Sequence, residues 1–149
     1  MRREETENVK PKGKALVIDD DLVTLDLFEF ELCSQGLDVS VASSGEKGLA
    51  MLNSVEFDVV LTDLNMPDIN GIEMLRRSKQ LQPETEVIIV TGDDSTERAV
   101  AAIQAGAFDY IVKGSDFGKL FAVVRNALER KRQAQINRLQ ADEIRELRG

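Results

Sequence analysis

FDVVLTDLNMPDINGI, residues 57–72, holds the pattern from which the architecture follows. A strand-like run, Phe57–Thr62, meets an acid at Asp63 and passes through a loop, Met66–Gly71, into a helical pattern from Ile72 to about Gln80. Its centre, Val59–Leu61, is apolar at successive positions, as in a strand covered on both faces. A buried strand feeding a helix through a short loop is half of a parallel crossover unit.

The same unit recurs on both sides. Towards the N-terminus, Ala15–Ile18 is a β-type run and Leu22–Ser34 has helical spacing that stops at Gly36. Leu37–Ala42 then alternates as a strand, and Ser43 with Glu46 has the spacing of a capping box before a helix to about Asn53. Towards the C-terminus, Gln82–Pro83 breaks the chain. Glu86–Thr91 is a fourth strand, Thr96–Gln104 a fourth helix and Phe108–Val112 a fifth strand. A last helix begins near Asp116 and runs almost to the end. Five βα units predict an α/β fold: a five-stranded parallel sheet with helices on both faces.

Ligands bind such sheets beyond the carboxyl ends of the strands. Strand one ends in Asp19, Asp20 and Asp21, strand three in Asp63, strand four in Thr91–Gly92 and strand five in Lys113. Each has an ordinary explanation alone: helix caps, a turn, a solvated lysine. Gathered at one sheet edge, the carboxylates repel one another and call for a cation. Oxygen ligands of this type suit Mg²⁺. A carboxylate beside Mg²⁺ can attack phosphorus, while a lysine and a threonine hydroxyl neutralise and hold the transferring oxygens.

The 149 residues contain no histidine and one cysteine, with a formal net charge of −8. The missing histidine excludes Ser-His-Asp and Cys-His catalysis and disfavours a zinc site. Any phosphohistidine must come from a partner. The negative charge argues against direct, non-specific nucleic-acid binding. No apolar run is long enough to cross a bilayer, and the polar stretch Met1–Lys14 lacks the core of a secretory signal, so a cytoplasmic location is the default expectation. Cys33, within an amphipathic helix, is expected to be a buried core thiol.

Leu16-Val17-Ile18-Asp19-Asp20-Asp21, Leu61-Thr62-Asp63-Leu64-Asn65-Met66-Pro67, Asn70-Gly71, Val90-Thr91-Gly92 and Tyr110-Ile111-Val112-Lys113 together closely resemble the CheY-like receiver family of two-component signalling. The resemblance spans about Lys14 to Leu128. It implies a flavodoxin-like (βα)5 fold with strand order 2-1-3-4-5. It also implies a phosphorylation switch rather than an enzyme for outside substrates. Asp63 would be the phosphoacceptor, served by a sensor histidine kinase or phosphotransfer protein. Asp20 and Asp63 would ligate Mg²⁺ (or Mn²⁺) directly, Asp19 partly through water and Asn65 through its backbone carbonyl. Asn65, Thr91, Gly92 and Lys113 would surround the phosphoryl group, with Gly92 leaving room for the donor. Thr91 and Tyr110 would form the switch, acting on the face made by helix four, strand five and helix five. The tract AVAAIQAGAFDY, Ala99–Tyr110, resembles the NtrC-like subclass.

Gly114 departs from the family pattern, which has proline after the lysine and a cis bond before it. A trans bond and a more mobile loop are therefore expected here. The chain also differs from haloacid-dehalogenase phosphohydrolases, whose acid/base Asp two residues after the nucleophile is here Asn65. A receiver-like module that no longer takes phosphate is the other alternative, favoured only by Gly114.

The expected organisation is a flexible N-terminal segment, residues 1–13, a receiver domain, residues 14–129, and a linker or signalling helix, residues 130–149. That helix is expected to leave the body beyond about Arg130. Ile136, Leu139, Ile144 and Leu147 recur along it, but not as a clean heptad, so a weak parallel homodimer is expected.

Overall fold

The structure is a computed structural model, which describes residues 10–148. Five strands alternate with five helices: β1 (Lys14–Ile18), α1 (Leu22–Ser34), β2 (Asp38–Ala42), α2 (Gly45–Ser54), β3 (Val59–Thr62), α3 (Gly71–Leu81), β4 (Glu86–Thr91), α4 (Thr96–Gln104), β5 (Asp109–Val112) and α5 (Phe117–Arg148). The strands form one sheet in the order β2-β1-β3-β4-β5. All four pairings are parallel. Register sets Ile18 beside Thr62 and Thr91 beside Val112, so the residues after β1, β3 and β5 emerge at one edge.

Alternation along the buried strands divides the core in two. Ala15, Val17, Val59, Leu61, Ile88 and Val90 face α1 and α5, packing on Phe28, Leu32, Leu120 and Val124. Leu16, Ile18, Val60, Val87 and Ile89 face α2, α3 and α4, packing on Leu52, Met74, Leu75 and Ala102. Two helices thus cover one face and three the other, as right-handed parallel crossovers require.

The departures from the expected elements are local and have physical causes. β3 starts at Val59 rather than Phe57, because side chains claim the Phe57 backbone. Its N–H donates to Gln82 Oε1 (2.9 Å), and its carbonyl accepts from Thr85 Oγ1 (2.6 Å) and Lys131 Nζ (2.9 Å). The cap of α2 is Ser44, not Ser43: Ser44 Oγ accepts from Lys47 N–H (3.2 Å), while Ser43 Oγ accepts from the Lys47 ammonium. Cys33 is exposed, not in the core. It follows buried Leu32, and one residue turns a helix by about 100° away from the buried side. Partial desolvation and Glu29 hold its thiol above the usual range, as for an unreactive cysteine.

The expected N-terminal segment falls largely outside the described residues. Within them, Lys12 N–H donates to the Gly36 carbonyl (2.9 Å) and the Gly13 carbonyl accepts from Asp38 N–H (2.9 Å). α5 is one helix of 32 residues. It does not leave the body at Arg130: Lys131 is 2% exposed, and Arg138 still pairs with Glu84.

Candidate functional site

Three consecutive acids after β1 take different positions. Asp21 caps α1, accepting from Val23 N–H (3.3 Å) and Thr24 Oγ1 (2.6 Å). The helix-cap explanation of this acidic run therefore applies to Asp21. Asp19 is 3% exposed and turns inward; its Oδ1 accepts from Asp21 N–H at 2.9 Å. Asp20 is exposed at the mouth of the site.

From the end of β3, Asp63 joins them. Its Oδ1 accepts from the N–H groups of Leu64 (2.7 Å) and Asn65 (3.4 Å), an arrangement of the tight turn after the strand. Carboxylate oxygens of Asp19, Asp20 and Asp63 all lie within 4.8 Å of one another. Three hard oxygen donors at this separation suit a small divalent cation completed by water.

Lys113 enters from the end of β5. Its Nζ is 2.6 Å from Asp19 Oδ2 and 3.2 Å from Asp63 Oδ2. Burial alone would lower its pKa, but Asp19 and Asp63 overcome that and hold it above the usual lysine value, so it stays a cation. Burial pushes the Asp19 carboxyl up, and the lysine only partly offsets this. A buried carboxylate not fully neutralised by one ammonium is the condition a second cation relieves.

Gly114 next to it has φ +91°, and no cis bond occurs among the described residues. The trans link expected from the missing proline is present. Glycine here supplies a left-handed backbone that a side chain would strain. Lys113 is nevertheless held: its N–H donates to the Thr91 carbonyl (2.7 Å), and Ser115 N–H donates to the Val112 carbonyl (3.2 Å).

Thr91 is buried at the end of β4, and its Oγ1 accepts from Asp93 N–H at 3.3 Å. A Cβ added to Gly92 would meet nothing within 4 Å, so the approach beside Thr91 is open. Tyr110 is half-buried on β5 and donates its hydroxyl to the Asp93 carbonyl at 2.6 Å. Burial and the Asp93 charge raise its phenol pKa, which keeps it a donor.

Every residue expected at the site from the sequence lies at this edge of the sheet. Asp19, Asp20, Asp63 and Lys113 converge directly; Thr91, Gly92, Asn65 and Tyr110 surround them. The sequence reading missed Arg98 of α4, whose Nη1 donates to Asn65 Oδ1 at 2.9 Å and pairs with Asp93 Oδ2 at 3.3 Å. Nothing in its local sequence separates it from an ordinary solvated helix arginine. It also missed Asp68, which accepts from Gly45 N–H (3.2 Å) and Glu46 N–H (2.8 Å), tying the β3–α3 loop to the start of α2.

The profile of the response regulator receiver domain family matches residues 15–125. The chain is 36% identical over 125 residues to the transcriptional regulatory protein ZraR of Salmonella typhimurium, covering 84% of this chain and 28% of that protein. It thus spans little more than a quarter of that relative. A response regulator receiver domain from Clostridium thermocellum superposes with a TM-score of 0.76 at 37% identity, over 81% of this chain and 98% of that one. NtrX from Brucella abortus gives a TM-score of 0.78 at 29% identity, over 83% of this chain and 28% of that one. With the strand order, the clustered carboxylates and the bridging lysine at the matched positions, these likenesses establish that the chain belongs to the response regulator receiver domain family.

Proposed function

We propose that this domain is a phosphorylation switch in which Asp63 accepts a phosphoryl group from a phosphohistidine of a sensor histidine kinase or phosphotransfer protein. The observation that carries this reading is Lys113 bridging Asp19 and Asp63, within a carboxylate cluster open to solvent at Asp20. Mg²⁺ (or Mn²⁺), when bound, would neutralise the carboxylates and the transferring oxygens. Asp20, Asp63 and the Asn65 carbonyl would hold it directly, and Asp19 partly through water.

The chain's own groups have the following parts. Backbone N–H groups engage Asp63 Oδ1, which leaves Oδ2, beside Lys113, as the oxygen placed to attack phosphorus. As the new O–P bond forms, the P–N bond breaks and its electron pair returns to the donor imidazole. Lys113 and the Thr91 hydroxyl take up charge on the phosphoryl oxygens. The absence of histidine from this chain puts the donor on a partner. Leu22, Val23 and Leu27 are exposed on α1 directly after the acidic turn, an apolar patch suited to receive it.

Phosphorylation would draw the Thr91 hydroxyl towards the phosphoryl group and turn Tyr110 inward, shifting the population of the α4–β5–α5 face, where Val100 and Ile103 are exposed. We assign the receiver unit to residues 14–129 and a signalling role to residues 130–149, whose first turns remain bound to the receiver through Lys131 and Arg138. This segment leads to an output partner and pairs weakly with a second copy in the cytoplasm. The domain acts only on its own aspartyl phosphate and makes no direct nucleic-acid contact.

Incubation with acetyl phosphate and Mg²⁺ tests the reading: a covalent gain of ~80 Da should map to Asp63 and vanish in Asp63→Asn. An adduct on another residue, or steady turnover of the donor without an adduct, would overturn it.

A further inference from the structure

Asn65 and Asp93 stand on opposite loops, each two residues beyond a site residue: Asn65 after Asp63, Asp93 after Thr91. One nitrogen joins them. Arg98 Nη1 lies 2.9 Å from Asn65 Oδ1 and 3.3 Å from Asp93 Oδ2. Asp93 is itself held on every side. Its Oδ1 accepts from Ser95 N–H (2.8 Å), its N–H donates to Thr91 Oγ1 (3.3 Å) and its carbonyl accepts from the Tyr110 hydroxyl (2.6 Å). Ser95 in turn caps α4 through Arg98 N–H at 3.4 Å. The arginine therefore closes a rim that runs from the loop of the acceptor to the hydroxyl and the phenol on its far side.

We infer that Arg98 is a positioning residue that prolongs the life of the phosphorylated state, by locking Asn65 and Asp93 together across the path of the hydrolysing water. The inference rests on Asp63 being the phosphoacceptor. Hydrolysis of an aspartyl phosphate forms a bond from water oxygen to phosphorus while the P–O bond to Asp63 breaks. The electron pair returns to the Asp63 carboxylate; one water proton stays on the released phosphate and the other passes to solvent. The water must approach phosphorus opposite the Asp63 oxygen. Asn65, which is exposed, and Asp93, which is partly exposed, are the solvent-facing groups of these two loops, and the water is taken to pass between them. Two separate side chains would leave a gap there that thermal motion widens; a shared guanidinium nitrogen holds them at one point. Lysine would keep the charge beside Asp93, but its side chain is shorter and ends in a freely rotating ammonium, so it holds Asn65 and Asp93 less firmly than the planar guanidinium, whose Nη1 meets both.

The test is the decay of the purified Asp63 adduct in Mg²⁺ after removal of acetyl phosphate, followed by intact mass. The Arg98 side chain is 53% exposed, so its replacement leaves the core untouched. Arg98→Ala should shorten the half-life about fivefold, the rate equivalent of an exposed ion pair worth ~1 kcal/mol. Arg98→Lys should give an intermediate rate, a graded response that a purely structural role would not produce. Arg98→Ala combined with Asp93→Ala should decay no faster than the quicker single variant, because the rim acts as a unit. Unchanged or slower decay in Arg98→Ala, or rates that multiply in the double variant, would overturn the inference while leaving the acceptor intact. No adduct on Asp63 even in the wild type would overturn the acceptor reading, and the inference with it.

Discussion

Asp19, Asp20 and Asp21 share a residue type and a loop, but only Asp21 can reach the free N–H groups at the start of α1. Sequence spacing does not reveal which acid of a run caps a helix, since any of the three could stand at that position. The structure leaves Asp19 and Asp20 to face Asp63 within 4.8 Å. A prediction follows for each group. Mg²⁺ at about 100-fold above its dissociation constant should stabilise the wild type by ~2.7 kcal/mol in calorimetric unfolding. Asp20→Ala should lose most of that gain while changing little without the metal, because Asp20 is exposed. An undiminished response to Mg²⁺ in this variant would remove Asp20 from the metal site. Asp21→Ala should weaken the α1 terminus and leave the response to Mg²⁺ intact, separating cap from ligand by one residue. The residues that converge were legible because each follows a strand end. Arg98 was not, because its partners lie 33 residues away and five residues back along the chain.

Helix ends and strand ends were read to within a residue or two where apolar spacing stops sharply, and less well where side chains from elsewhere take over the backbone. The start of α2 is an example. Ser44 satisfies one N–H from within the chain segment, but Asp68 satisfies two more from the β3–α3 loop. Those bonds hold the Asp68 carboxyl below its usual range. A depressed carboxyl contributes stability that is complete above the ordinary aspartate range and is lost as pH falls through its folded value. Asp68→Ala should therefore cost about 1 kcal/mol near neutral pH, with the gap closing below about pH 4. Urea unfolding of both proteins at the two pH values measures this, and a gap that persists in acid would mean that packing, not the cap, was lost.

α5 shows the same limit. Leu120, Val124 and Ala127 make its buried side, and the next position in that 3–4 spacing is Lys131. The run Glu129–Arg132 reads as a solvated charge cluster, which hides the one member that faces inward. Its ammonium donates to Glu56 Oε1 (3.1 Å), the Phe57 carbonyl (2.9 Å) and Asp58 Oδ1 (2.9 Å). Asp58 also accepts from Lys14 N–H at 2.7 Å, so one lysine ties α5 to the starts of β1 and β3. Lys131→Met removes all three bonds and the cation beside Asp58, and should destabilise the fold by about 1–3 kcal/mol, since Phe57 and Asp58 keep other donors and Glu56 faces water. Arg132→Ala, which breaks only an exposed pair with Glu129, should change stability by less than about 0.5 kcal/mol. Similar denaturation midpoints for the two variants would show that Lys131 is not an anchor.

In the molecule as a whole, the alternation of apolar runs with helical patterns carried the fold class. The order of strands in the sheet is invisible to such patterns and came from resemblance alone. What the sheet cannot cover is the distal part of α5. Past the Arg138–Glu84 pair the helix exposes Leu139 (60%), Ile144 (51%) and Leu147 (81%), and Ile136 (36%), between Lys131 and that pair, is exposed at the margin. A solitary helix without a packing surface is marginal in water, so a second copy of this helix is the natural cover. Burying each of these side chains could contribute ~1.5–3 kcal/mol before the costs of association. The uneven spacing of the apolar positions and the flanking charges hold that gain down, because knobs at irregular intervals do not all meet holes. The expected result is a weak, parallel, two-fold dimer whose average mass rises with concentration in sedimentation. Leu139→Glu with Ile144→Glu in the full chain should abolish the rise without altering the receiver, since neither residue touches its core. If wild type and variant sediment alike at high concentration, the distal helix stands alone in solution and the proposed pairing falls.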